Sequence, residues 1–160
     1  MKKDNKGFSL VELIVVIAIM AVLMVVLTPA LLRYVEKTRL QTDNSAIAEI
    51  ANAAEIACAS EKVNQEIATL GDTGAVIKFT ITDGKYTGAL EYTPNDTTSA
   101  AFRKEIDATI GTVVLKSNTY ATKGTPVLTV KVSSTDQSVT VTGTNIWEAP
   151  DATAASTITY

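Results

Sequence analysis

The hydrophobic pattern of this 160-residue chain falls into three regimes. From Leu13 to Leu27 no polar side chain occurs, and Glu12 is the only charge between Lys6 and Arg33. Phe8 to Leu32 gives 25 residues, above the roughly 20 that span a hydrocarbon core about 30 Å thick. After Pro29 the period becomes helical: Leu40, Ile47, Ile50, Ala54, Ala57 and Cys58 form one apolar stripe, with Glu36, Lys37, Arg39, Gln41, Asn52 and Glu55 on the other face. Ile56 and Val63 lie off the stripe and are expected to contact other subunits. Read as one element, Phe8 to about Lys62 makes a helix roughly 80 Å long at 1.5 Å per residue.

From Gly71 the period shortens to two. Ile77, Phe79 and Ile81 alternate with Lys78, Thr80 and Thr82, a half-buried strand. Asp83-Gly84 is a two-residue hairpin signal returning through Lys85–Tyr92. Pro94-Asn95-Asp96 reads as a loop. A short helix follows, capped by Thr98 or Ser99, with Phe102, Ile106 and Ile110 on one face and Gly111 as its stop. Strands are predicted at Thr112–Lys116, Val127–Val132 and Ser138–Thr142, with a turn at Ser133–Gln137 and a final strand at Thr157–Tyr160. Pro126 suits a strand start, where no ladder bond is required of its nitrogen. The sum is an α+β chain, a long N-terminal helix packed on an antiparallel sheet.

Composition narrows the chemistry. The chain has no histidine, and Cys58 is its single cysteine, so histidine triads, thiolate zinc clusters and an intramolecular disulfide are excluded. Cys58 reads as a buried packing residue. No phosphate loop or calcium loop is evident, and Asp83-Gly84 and Asp136-Gln137 read as turns. No cofactor, metal or enzymatic activity is expected. Residues 1–39 hold six basic and three acidic side chains, whereas the remainder holds eight and fourteen. Lys2, Lys3 and Lys6 ahead of the apolar run place the N-terminus in the cytoplasm by the positive-inside tendency. The acidic body carries no basic patch for nucleic acid.

A carboxylate inside an apolar segment costs about 2.5–3.5 kcal/mol on insertion scales, so a functional partner is the default reading of Glu12. A secretory signal would carry its small-residue cleavage site after the apolar run. Here the small residue, Gly7, precedes it. The segment Lys6-Gly7-Phe8-Ser9-Leu10-Val11-Glu12-Leu13, with Pro29 further along the helix, closely resembles the N-terminus of type IV pilins.

That resemblance covers about the first 35 residues and implies a division of the chain. Residues 1–7 would be a leader removed by a prepilin peptidase between Gly7 and Phe8, with N-methylation of the Phe8 amine. Residues 8–33 would form the transmembrane and filament-core helix, residues 34–66 its amphipathic continuation, and residues 67–160 the head. Glu12 would pair with Phe8 during assembly, and Pro29 would bend the helix because it offers no N–H to the Val25 carbonyl. Family members that unwind here do so near a glycine; this chain has Ala21 and no glycine in residues 8–32. The implied function is a structural pilus subunit, stored in the cytoplasmic membrane and polymerised through its N-terminal helices into an extracellular filament for motility, adhesion or aggregation. The implied partners are other copies, the peptidase, and the inner-membrane assembly platform with its ATPase motor. Two further family roles are a pseudopilin of a type II secretion-like system and a minor, adhesive pilin.

Overall fold

The computed structural model describes residues 8–82, 85–94, 99–110, 113–133 and 138–160. Two compact units partition the chain, Met1–Val35 and Glu36–Tyr160, and each is described by itself. In the first, the described residues form the start of helix α1 (Leu10–Cys58), and their apolar side chains are exposed from Phe8 to Val35.

The second unit holds the core. The remainder of α1 contributes Leu40, Ile47, Ile50, Ala51, Ala53, Ala54, Ala57 and Cys58, the stripe read from the sequence with two further alanines. These side chains share one buried cluster with the sheet residues. Five antiparallel strands form that sheet: β1 (Ala75–Thr82), β2 (Lys85–Thr93), β3 (Val127–Val132), β4 (Val139–Ile146) and β5 (Ser156–Thr159), in the order β2-β1-β3-β4-β5. Ala75, Ile77 and Phe79 of β1 and Leu128, Val130 and Val132 of β3 face the core, while Lys78 and Lys131 face out, the alternation expected of a one-sided antiparallel sheet. Among the described residues, three short α-helices, α2 (Glu61–Thr69), α3 (Ala100–Thr109) and α4 (Asn118–Lys123), and a 3-10 turn at Gly71–Thr73 join the sheet.

Several expectations need correction. The long helix does not run on to Lys62. Its last turn tightens, with Ala59 N–H donating to Ile56 O (3.0 Å) and Ser60 N–H to Ala57 O (3.1 Å). Ser60 is then extended, and α2 starts at Glu61. The break rotates the apolar face of α2 inward, so Val63 is 0 % exposed and belongs to the core instead of an intersubunit surface. Ile56 remains 69 % exposed.

The strand expected at Thr112–Lys116 is absent among its described residues, 113–116. Lys116 and Ser117 give their backbone N–H groups to the Asp43 carboxylate of α1, leaving them no part in a ladder. The sequence reading missed α4. Ser117 initiates it as N-cap, accepting from Thr119 N–H at 3.1 Å.

The helix at residues 100–109 forms as expected, but Ser99 does not cap it by side chain; its hydroxyl donates to Pro94 O. Glu66 of α2 takes the capping role, accepting from Ala101 N–H (2.9 Å) and Phe102 N–H (3.2 Å). Strand β3 has the bounds read from the sequence, β4 extends further, to Ile146, and β5 starts one residue earlier. The Asp83-Gly84 turn, residues 95–98, Gly111 and most of the 133–137 turn lie outside the described residues, although Thr82 and Lys85 pair across the hairpin and Ser133 N–H bonds Ser138 O.

Candidate assembly segment

The N-terminal segment is built by an uninterrupted apolar run with helix-forming residues and a single carboxylate near its start. Phe8 is 90 % exposed, and the side chains that follow it on α1 stay exposed through Leu32. The helix is long and apolar enough to cross a membrane. Its mid-portion retains Thr28 and Pro29. Pro29 lies within α1, and Thr28 Oγ donates to Met24 O at 2.7 Å, one turn back. Such back-bonding satisfies a hydroxyl where no other partner is at hand.

Glu12 is tied to Ser9 in both directions. Ser9 N–H donates to Glu12 Oε2 at 2.8 Å, and Glu12 N–H donates to Ser9 Oγ at 3.2 Å. This is a capping box, in which a serine and a glutamate three residues on satisfy two N–H groups that the first turn leaves orphaned. The carboxylate sits at the positive end of the helix dipole. The pattern Ser9-x-x-Glu12 ahead of an apolar run was legible as a capping box, and the sequence reading used only its glutamate. Gly7 lies outside the described residues. Phe8 and Glu12 are thus a single helical turn from each other at the entry of α1, while Pro29 is far along it.

Within the second unit, α1 carries a polar anchor. Asp43 is only 2 % exposed and accepts from Lys116 N–H (2.9 Å to each oxygen) and Ser117 N–H (2.6 Å). Burial pushes its carboxyl above the ordinary range, and the negative charge of Glu36 adds to that; the two amides pull the other way. Glu36, expected on the solvent face, is half-buried and receives Ser117 Oγ (2.6 Å), Thr119 N–H (3.1 Å) and Thr119 Oγ (3.2 Å). Burial opposes its ionisation, but these donors outweigh it and hold the carboxyl below its ordinary value. Next to Asp43, Asn44 accepts from Tyr120 Oη and donates to Trp147 O at 3.0 Å. Lys123 lies over the Trp147 ring, 4.7 Å from its centre. Asp43 sits three residues after Leu40 and four before Ile47, an acid on the apolar stripe, and that spacing was the available signal. Among the described residues no group of three His, Cys, Asp or Glu side chains could hold a metal ion.

Comparison with known proteins agrees with this geometry. Residues 2–28 match the family described as the prokaryotic N-terminal methylation motif. Two fimbrial proteins of Pseudomonas aeruginosa are each 33 % identical over 131 residues, covering 80 % of this chain and 79 % of the relative. No solved structure matches it significantly. The match extends well beyond the methylation motif into the sheet-bearing unit, and with the exposed apolar helix it shows that this chain belongs to the type IV pilin family and is a fimbrial, structural protein.

Proposed function

We propose that the chain is the major subunit of a type IV pilus, cut between Gly7 and Phe8, methylated on the Phe8 amine and polymerised through its N-terminal helices. The observation that carries this reading is the exposure of the apolar side chains of α1 from Phe8 to Val35, a surface suited to a bilayer or to copies of itself. Residues 8–33 anchor the stored subunit in the cytoplasmic membrane, residues 34–66 continue toward the head, and residues 67–160 are carried to the filament exterior. Pro29 bends the core helix. A prepilin peptidase and an inner-membrane platform with its ATPase act on the subunit, and the filament serves motility, adhesion or aggregation.

Glu12 supplies register. Cleavage creates the one new cation at its depth, the amine of Phe8, and methylation leaves that charge in place. In a dry filament centre, Glu12 of an incoming subunit pairs with Phe8 of a docked one. Removing one partner of a buried ion pair costs about 3–5 kcal/mol, enough to stop polymerisation without harming the fold.

Intact-mass measurement of sheared filaments is expected to give a subunit lacking residues 1–7 and carrying one added methyl; a mature chain starting elsewhere would refute the processing. Replacing Gly7 by a bulky residue is expected to leave full-length precursor in the membrane. Glu12→Ala and Glu12→Gln are expected to be cleaved at wild-type levels and to yield almost no filaments. Normal piliation by both would remove Glu12 from the mechanism.

A further inference from the structure

The hydrogen bonds at the entry of α1 divide the Glu12 carboxylate between two tasks. Only Oε2 is bonded, to Ser9 N–H, and among the described residues Oε1 accepts no hydrogen bond. The return bond from Glu12 N–H to Ser9 Oγ closes the box. We propose that Ser9 is a positioning residue for assembly: with Glu12 it forms a helix cap that keeps one carboxylate oxygen on its own chain and leaves the other for the cation of a neighbouring subunit. This rests on the pairing of Glu12 with Phe8 argued above.

The physics of the apolar segment makes the cap consequential. A glutamate has three side-chain torsions, and ordering such a side chain is entropically costly. A subunit that reaches the growing filament with the Glu12 torsions already set avoids that cost at the moment of docking. The box also satisfies two backbone donors at a helix start that hydrocarbon cannot solvate. Cleavage leaves it intact, because Ser9 and its N–H remain in the mature chain. Cleavage puts a new amine on Phe8 of every copy, and the carboxylate oxygen that Ser9 leaves unbonded is the one available to the amine of a neighbouring subunit.

Four substitutions in the full-length chain separate charge from cap. Ser9→Thr keeps the hydroxyl, and Ser9→Val keeps the shape of threonine without it. Glu12→Gln keeps an acceptor for Ser9 N–H and loses the charge, and Glu12→Ala loses both. Filaments recovered by shearing are measured relative to the processed subunit in the membrane, so that any effect on cleavage cancels. Amide exchange at positions 9 and 12 is followed in the detergent-solubilised mature subunit.

Ser9→Thr is expected to assemble as wild type. Ser9→Val, with Glu12 intact, is expected to lose amide protection at Glu12 and to assemble about fivefold less well, the factor corresponding to loss of a typical N-cap. Glu12→Gln is expected to keep protection at Ser9 and still fail to assemble. A cap that only stabilised the helix end would leave Ser9→Val filament yield at the wild-type level, and that result, with Glu12→Ala still defective, would overturn the positioning role and spare the pairing. Normal filaments from both Glu12 variants would overturn the two together.

Discussion

At the scale of single residues, the chain places its acids where backbone donors need them. Glu12 caps α1, Glu66 caps α3, and Asp43 and Glu36 collect the donors of residues 116–119. None of these is explained by a surface ion pair. The Glu36 and Asp43 carboxyls respond to acid in opposite senses. Glu36 is held below its ordinary value of 4.5, so its contribution to stability is present above that pH and is lost as pH falls through its lower folded value. Asp43 is raised above its ordinary 3.8, so its titration favours the fold at low pH, and that preference disappears as pH rises through its folded value. Urea midpoints of the detergent-solubilised protein between pH 3 and 7 are expected to drop on the acid limb below about 4.5, the ordinary Glu36 value, and Glu36→Gln is expected to flatten that drop. An unchanged acid limb in Glu36→Gln would show that another carboxyl governs it. Fluorescence of Trp147, buried where α1, α4 and the end of β4 meet, is the natural probe.

At the scale of elements, the long helix and the sheet strands followed from hydrophobic period, whereas element ends, α4 and the missing strand at 113–116 followed from hydrogen bonding and packing that the period does not encode. The break between α1 and α2 illustrates this. Nothing in Cys58-Ala-Ser-Glu61 forbids a continuous helix. Stopping at Cys58 lets Val63 and Ile67 reach the core, and the Asn64 side-chain amide satisfies the Cys58 carbonyl (3.4 Å) that the break leaves open. The sequence reading treated Val63 and Ile56 alike, and packing separates them. Val63→Ala is expected to lower the unfolding free energy by about 2 kcal/mol, from lost transfer energy plus a cavity. Ile56→Ala is expected to change it by less than about 0.5 kcal/mol, as exposed positions do. Thermal unfolding of the two variants side by side decides this; equal losses would place both residues in the core. The strand expected at 112–116 failed for a related reason. A run of Val and Leu has strand propensity, but at its end Asp43 takes the Lys116 and Ser117 backbone donors as a charged acceptor.

At the scale of the molecule, the two units follow two different solvents. Glu36–Tyr160 buries a continuous core of Leu, Ile, Val, Phe, Tyr and Trp between helix and sheet, and the described apolar side chains of Met1–Val35 are exposed. A fragment beginning at Arg33 is therefore expected to be a soluble, folded, non-polymerising monomer, while the full chain requires membrane or detergent. Sedimentation and far-ultraviolet circular dichroism of the fragment provide the check. An unfolded fragment, or one that still forms filaments, would overturn the division into N-terminal helix and head.

What the sequence alone determined is what depends on local order: the apolar segment, the methylation motif around Gly7 and Phe8, the place of Glu12 and Pro29, the α+β class, and the buried stripe with Cys58. Period and motif are properties of neighbouring residues, so a single chain suffices to read them. Tertiary structure alone decided the strand order β2-β1-β3-β4-β5, the end of α1 at Cys58, the burial of Val63 and the roles of Asp43, Glu36 and Glu66. The three carboxylates find their donors 35 to 83 residues away, and the strand order, the end of α1 and the burial of Val63 follow from how the elements pack together. The physical reason is that a buried donor must be satisfied, but sequence does not say by whom.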